Sequence, residues 1–331
     1  MTDAHRYRAL NEQVLRARGG KPLALNINGQ EHLQLTRQSL MIESAATSFQ
    51  IHLQVPVNHA HHFYNAAIML SAPLLAMAGN SPFLLNHSLW EETRIPLFEQ
   101  AVNVGIQQRQ RVSFGSGFVK NSITECFLEN LQQYPVLLPM LSEEPAERFP
   151  HLCLQNGTIW RWNRPLIGFD AQGIPHIRIE QRVLPAGPTV KDMLANSAFF
   201  YGLVQALTDQ LIQGEIKLPD FAATRDNFYH AARYGLNTTQ HWLGDTIEVR
   251  SLILETLLPM AKTGLQTLQL TTEDINTFLG IIEARVRNGQ TGARWQQQQL
   301  GYFQGDMQAM LSTYDKHQRD GQPVHTWPLS R

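Results

Sequence analysis

The sequence predicts an α+β fold, with antiparallel strands leading and a helical bundle following. Three observations predict it. Residues 176–183, "HIRIEQRV", put Ile177, Ile179 and Val183 on odd positions and His176, Arg178, Glu180 and Arg182 on even ones, as a strand with side chains on opposite faces requires. Residues 48–55, "SFQIHLQV", have the same design, with Phe49, Ile51, Leu53 and Val55 set against Gln50, His52 and Gln54. From Pro188 onward the apolar residues recur at helical spacing instead. Strands first and helices last argue for α+β rather than an alternating parallel sheet.

The elements follow in order. "QVPVNHAHHFYNAAIMLSAPLLAMAGNSPF" reads as a strand end, a helix capped near Asn58, and a stop at Gly79 and Asn80 before Pro82. Residues 97–140 look irregular except for a helix in "SITECFLENLQQY", and 151–185 hold two strands around the turn "FDAQGIP". "TVKDMLANSAFFYGLVQALTDQLIQG" is an apolar-periodic helix ending at Gly214. Three more helices are expected over 246–264, 272–288 and 291–319, the second opened by a capping box from Thr271 to Asp274. Strands and loops thus occupy mainly 20–185 and helices 188–320, within one domain spanning 1–331.

Composition narrows the function. A formal net charge of -1 over 331 residues shows no basic excess for nucleic acid and no polybasic tail for a lipid surface. Cys126 and Cys153 are the two cysteines and form neither a CxxC nor a zinc spacing, which suits a reducing compartment. The start "MTDAHRYRALNEQ" has no apolar segment, and "AAIMLSAPLLAMAG" is too short to span a bilayer and contains Pro73. A cytoplasmic protein without membrane or nucleic-acid partners is expected, and a homo-oligomer is compatible with the sequence.

The polar strand faces are the informative feature. Half-solvated antiparallel sheets are common, and that is the plain explanation of either strand alone. Solvated faces favour Lys, Thr, Ser and Glu, however, whereas these carry His, Gln, Arg and Glu, the side chains that hold metals, phosphates and carboxylates. The two faces are therefore expected to line one cleft, with His52 and Glu180 within reach of a common ion or water. Between the strands, "NGTIWRWNRPLIGF" places Trp160 and Trp162 together, and an indole there is expected to stack on Arg161, Arg164 or Arg178. "FGSGFVK" lacks the third glycine of a kinase loop and the GK[ST] of a P-loop, so it reads as a turn. His59, His61 and His62 read as a solvated helix start.

Taken in order, these segments resemble one family. "TIWRWNRP" followed by "HIRIEQR" is similar to the W-x-x-R-P and E-x-R elements of the type 2 glutamate–cysteine ligase, or carboxylate–amine ligase, family. "SFQIHLQV", "GNSPF", "WEETRIPLF" and "NFYHAARYGLN" resemble further segments of that family in the same order. The resemblance implies a glutamine-synthetase-like curved antiparallel sheet whose concave polar face holds nucleotide, metal and substrate. It implies an ATP- and Mg2+-dependent ligase that phosphorylates the γ-carboxylate of glutamate and lets an amine such as cysteine displace phosphate. On this resemblance Glu180 and His52 would be metal ligands and Arg182 and Arg94 would serve catalysis. Arg164, Arg178 and Arg233 would contact the nucleotide, phosphate or substrate carboxylate.

One departure accompanies the resemblance. Family members open on a strand with closely spaced glutamates, and nothing equivalent precedes "RYRALN"; Glu12 and Glu31 are the nearest early acids. The chain thus resembles the C-terminal portion of a ligase, and little turnover by it alone is expected. The competing expectation is a truncated or degenerate homologue that only binds nucleotide or amino acid. A phosphoryl-transfer enzyme acting on guanidino compounds fits the segments less well. In either ligand-binding reading Glu180 faces a cleft, so its truncation is expected to change stability little.

Overall fold

A computed structural model describes residues 5–105 and 108–329 and shows an α+β architecture organised around one buried helix. The chain opens with α1 (His5–Ala17) and a hairpin of β1 (Leu23–Asn28) and β2 (His32–Arg37). After a 3-10 turn at Leu40–Ala45 come β3 (Ile51–Val55) and α2 (Ala60–Ala78). Short strands β4 (Phe83–Leu84) and β5 (His87–Ser88) lead to α3 (Arg94–Ala101), β6 (Val112–Ser113), α4 (Thr124–Gln133) and α5 (Pro150–Asn156). Then β7 (Trp160–Arg161) pairs in parallel with β6, and β8 (Asn163–Phe169) and β9 (Pro175–Gln181) form the hairpin around "FDAQGIP". The second half comprises α6 (Val190–Gln213), α7 (Phe221–Tyr234), the hairpin β10 (Thr239–Trp242) and β11 (Asp245–Glu248), and five further helices. These are α8 (Val249–Ser251), α9 (Leu258–Thr267), α10 (Thr272–Asn288), α11 (Gly292–Tyr302) and α12 (Met307–Asp320).

The main sheet has the order β3-β9-β8, all antiparallel. Its odd face carries Ile51, Ile177 and Ile179 onto α2, and Asn163 donates to the Ser71 hydroxyl at 2.8 Å. Helix α2 is buried along nearly its whole length because its sequence is apolar all round. It is a core helix: no helix among the described residues is long and apolar enough to cross a membrane. Helices α6, α7 and α10 pack around it. Close approach of α6 to α9 depends on Gly202 and Gly264, each of which faces the other helix's backbone with no room for a Cβ.

Several boundaries differ from the expectations. The helix expected over 291–319 is two helices, because Gln304 and Gly305 take positive φ (52° and 91°) and Asp306 caps α12 through the Ala309 amide. The helix expected from 246 starts at Val249, since 239–248 form a hairpin whose turn residues Leu243 and Gly244 both have positive φ. Asn58 is not a cap: it lies in a 3-10 turn, Val57–His59, that runs straight into α2. Thr271 does cap α10, its hydroxyl accepting from the Asp274 amide.

Candidate functional site

Register creates the site. His52 on β3 lies opposite Glu180 on β9, which lies opposite Arg164 on β8, so all three stand in one row on the even face of the sheet. Arg164 Nε donates to Glu180 Oε2 at 2.8 Å, and His52 Nε2 lies 3.4 Å from Glu180 Oε1. The next row brings Gln54 and Arg178 side by side, and the one after sets His176 over Gly168, where any Cβ would collide with the imidazole. Arg182 follows the end of β9, its amide held by the Trp162 carbonyl at 2.9 Å. Its Nη1 donates to Glu180 Oε2 at 3.2 Å. The two polar strand faces thus form one surface, and His52 meets Glu180 upon it.

The surface is rich in guanidinium groups. Arg164 and Arg182 bring two of them onto Glu180, Arg178 stands in the next row, and Glu180 is only 2% exposed. Burial raises the Glu180 carboxyl, but attraction from Arg182 and Arg164 and their hydrogen bonds outweigh it, leaving the group below its ordinary range. Burial likewise lowers His52 against the pull of Glu180, and three arginines add to that lowering, so its imidazole is neutral at pH 7. The buried Nε atoms of Arg178 and Arg182 and Nδ1 of His176 have no hydrogen-bond partner. Polar atoms left unmet in this way are costly in a finished core.

The other expected residues lie apart from this group or play another part. Arg94 is buried, with Nε 3.1 Å from Glu92 Oε1 and Nη2 donating to the Val183 carbonyl, and it stacks over the Trp162 indole at 5.3 Å. The indole–guanidinium contact therefore exists, but with Arg94 instead of Arg161, Arg164 or Arg178. Glu92 also accepts from the Asn80 amide and the Ser81 hydroxyl, while its own amide donates to the Ala232 carbonyl. "GNSPF", "WEETR" and "NFYHAARYG" are therefore joined to one another around Glu92, and Arg94 belongs to that joint. Arg233 packs over Trp90 and Tyr234 at 5.8 and 5.4 Å, outside the row on the sheet. In "FGSGFVK", Asn65 pins the Val119 backbone in both directions, as suits a turn.

Two acids escaped the sequence reading. Glu43, in the 3-10 turn, lies close enough to Arg182 to be drawn down by it, although burial is the larger influence and raises its carboxyl. Glu99 accepts from Trp162 Nε1 and the Tyr229 hydroxyl, both at 2.8 Å, and burial pushes its carboxyl up to about 7. Neither stands on a strand with a legible alternation. Helical spacing in "RIPLFEQA" could have shown Phe98 and Glu99 on neighbouring faces, but not which wall they meet.

The metal expectation meets a different arrangement. Among the described residues no group of three or more His, Cys, Asp or Glu could hold a metal ion. The pair expected to ligate magnesium is a carboxylate tied to two guanidinium groups and a neutral imidazole beside it. Magnesium takes several oxygen donors in octahedral array, so these residues do not fit it by themselves. The guanidinium groups beside them are of the kind suited to phosphate or carboxylate oxygen.

A sequence model of glutamate–cysteine ligase family 2 matches residues 1–313. The chain belongs to that family. Every segment gathered around the sheet and around Glu92 falls inside the match. Membership in glutamate–cysteine ligase family 2 supports ligase function in general and small-molecule substrates, in a class that typically uses a nucleotide. Among curated proteins, none matches the sequence.

Proposed function

We propose that this chain carries the anion-binding face of an ATP-dependent carboxylate–amine ligase of the glutamate–cysteine type. The observation that supports it is the row His52–Glu180–Arg164 with Arg178 and Arg182 alongside, on the polar face of a sheet in a chain of that family. In such a ligation a carboxylate is activated by a phosphoryl group from ATP, and an amine then displaces phosphate. Arg164 and Arg182 would hold phosphate or carboxylate oxygens and stabilise charge as it builds there. Arg178, with its unpartnered Nε, would supply a further donor. Glu180 would keep Arg164 and Arg182 in place and prevent their mutual repulsion. Arg94 would act on the site indirectly, fixing the Val183 carbonyl one residue beyond Arg182. Magnesium, which the class of reaction calls for, would need oxygen donors beyond this face.

The test is phosphate release from ATP and magnesium, with and without glutamate and cysteine. Release that requires glutamate and rises with cysteine, even if slight, supports the proposal. Hydrolysis indifferent to both substrates contradicts it. A second reading, a non-catalytic binder of nucleotide or amino acid, draws support from the two guanidinium groups that already occupy the Glu180 carboxylate. It predicts ATP binding with no glutamate-dependent release.

A further inference from the structure

Residues 135–141, "PVLLPML", follow α4 as an unbroken apolar run, and no charged residue lies between Glu129 and Glu143. Tyr134 and Leu137 are buried and fasten the run to the body, Leu137 in a cluster with Val14, Leu40 and Val104. Arg111 donates to the Pro135 carbonyl, Gln155 to the Tyr134 carbonyl at 2.8 Å, and the Ser142 amide to His151 Nε2 at 3.2 Å. The backbone is therefore held at both ends, yet Val136, Met140 and Leu141 are 65%, 62% and 92% exposed. Proteins avoid exposed apolar runs of this length unless the run binds something. Beside it lies a groove of about 310 Å3, lined by Val136, Leu138, Met140, Leu141, His151 and Leu154 among others, with no Asp, Glu, Lys or Arg on the lining among the described residues.

We propose that this face pairs with the same face of a second copy of the chain, making a twofold-symmetric dimer. Such an interface requires one patch to complement itself. The most exposed of these side chains, Leu141, is also a wall of the groove, so each copy can seat its Leu141 in the groove of the other. The run carries no charge, so meeting its own image sets no like charges against each other. Residues 135–141 with Leu154 present roughly 600 Å2, at the top of what a monomer usually leaves as one apolar patch. Two copies would bury about 1,200 Å2 between them, which reaches the lower end of specific, stable interfaces. A small-molecule occupant fits less well, because an almost wholly aliphatic groove lacks the converging polar groups that orient a ligand.

Sedimentation velocity of the full chain tests the pairing. At about 50 μM, above the micromolar dissociation constants of weak interfaces of this size, the protein is expected to sediment with twice its 37.6 kDa mass. Leu141→Glu sets a carboxylate against the apolar groove and is expected to weaken dimerisation at least about tenfold. Its circular dichroism should match wild type, because a side chain so exposed holds no core together. Val190→Glu, which changes a 66% exposed residue at the start of α6 outside the patch, should leave the dimer intact. Amide exchange over 136–141 is expected to slow as the protein concentration rises. A monomer at about 50 μM overturns the proposal, whether or not another protein binds the face. A dimer that Leu141→Glu leaves as strong, or that Val190→Glu weakens as much, overturns it equally.

Discussion

Replacing Glu180 with alanine should destabilise the protein, contrary to what a cleft-facing glutamate would suggest. The carboxylate is 2% exposed and sits between Arg164 and Arg182, themselves 9% and 8% exposed. Removing it leaves two like charges together in a buried setting. Arg164 retains the Asn156 and Ile159 carbonyls at 3.2 and 3.4 Å, whereas Arg182 loses its one side-chain acceptor and already has an unpartnered Nε. Breaking one side of a buried ion pair costs about 3–5 kcal/mol, and the carbonyls left to Arg164 put this case near about 3. Urea unfolding of wild type and Glu180→Ala at pH 7 measures it. The pH dependence has a definite sign. Because the folded carboxyl lies below its ordinary range, its stabilising effect is present above the unfolded value and is lost as pH falls through the folded one. The gap between the two proteins should therefore narrow in acid. A Glu180→Ala protein within about 1 kcal/mol of wild type at pH 7, or a gap that widens in acid, would refute the ion-pair reasoning.

Other consequences follow from the same contacts. Glu99 titrates the opposite way: with its carboxyl raised to about 7, it stabilises the fold fully at low pH and loses that contribution as pH rises through 7. The protein should be up to about 3 kcal/mol less stable at pH 8 than at pH 4 on this account, and Glu99→Gln should flatten that slope in a series of denaturation curves. Gly202→Ala drives a Cβ into the Ala261 carbonyl across the α6–α9 contact, so a loss of about 3 kcal/mol or more is expected; a neutral effect in thermal unfolding would mean the helices can separate freely. Arg182→Lys keeps the charge but loses the fork, so glutamate-dependent phosphate release should fall at least about tenfold, with little change in unfolding midpoint.

Alternation made the sheet legible. Both strands that meet at His52 and Glu180 carry a period of two, and two such strands pairing in antiparallel register bring their polar faces together without further information. Helices α6 and α10 were legible by their helical period, each having an apolar stripe, a threonine cap and a terminal glycine, whereas α7 escaped the sequence reading and the helix expected from 246 starts at Val249. The hairpins at 23–37 and 239–248 were harder, because four- to six-residue strands leave too few positions to establish a period. The roles of the arginines were the least legible. Arg94, Arg164, Arg182 and Arg233 look equivalent as residues in motifs, and only tertiary contacts separate them. Arg94 is tied to Glu92 and a carbonyl, Arg233 lies over two rings, and Arg164 and Arg182 share a carboxylate. The metal expectation depended on the same distinction: a strand glutamate suits a cation until two guanidinium groups are found upon it.

The central claim is that the even face of the sheet binds phosphate and carboxylate oxygen, and ATP binding by Arg178 variants tests it most directly. Arg178 is the cluster member whose Nε has no partner and which makes no ion pair with Glu180 among the described residues. Removing it should therefore alter ligand binding without disturbing the Arg164–Glu180–Arg182 arrangement. Calorimetric titration of ATP into wild type and Arg178→Gln at low salt should show binding that weakens at least about tenfold in the variant, with both proteins unfolding at the same urea concentration. ATP affinity unchanged by Arg178→Gln, or no ATP binding by the wild-type chain, would contradict the account.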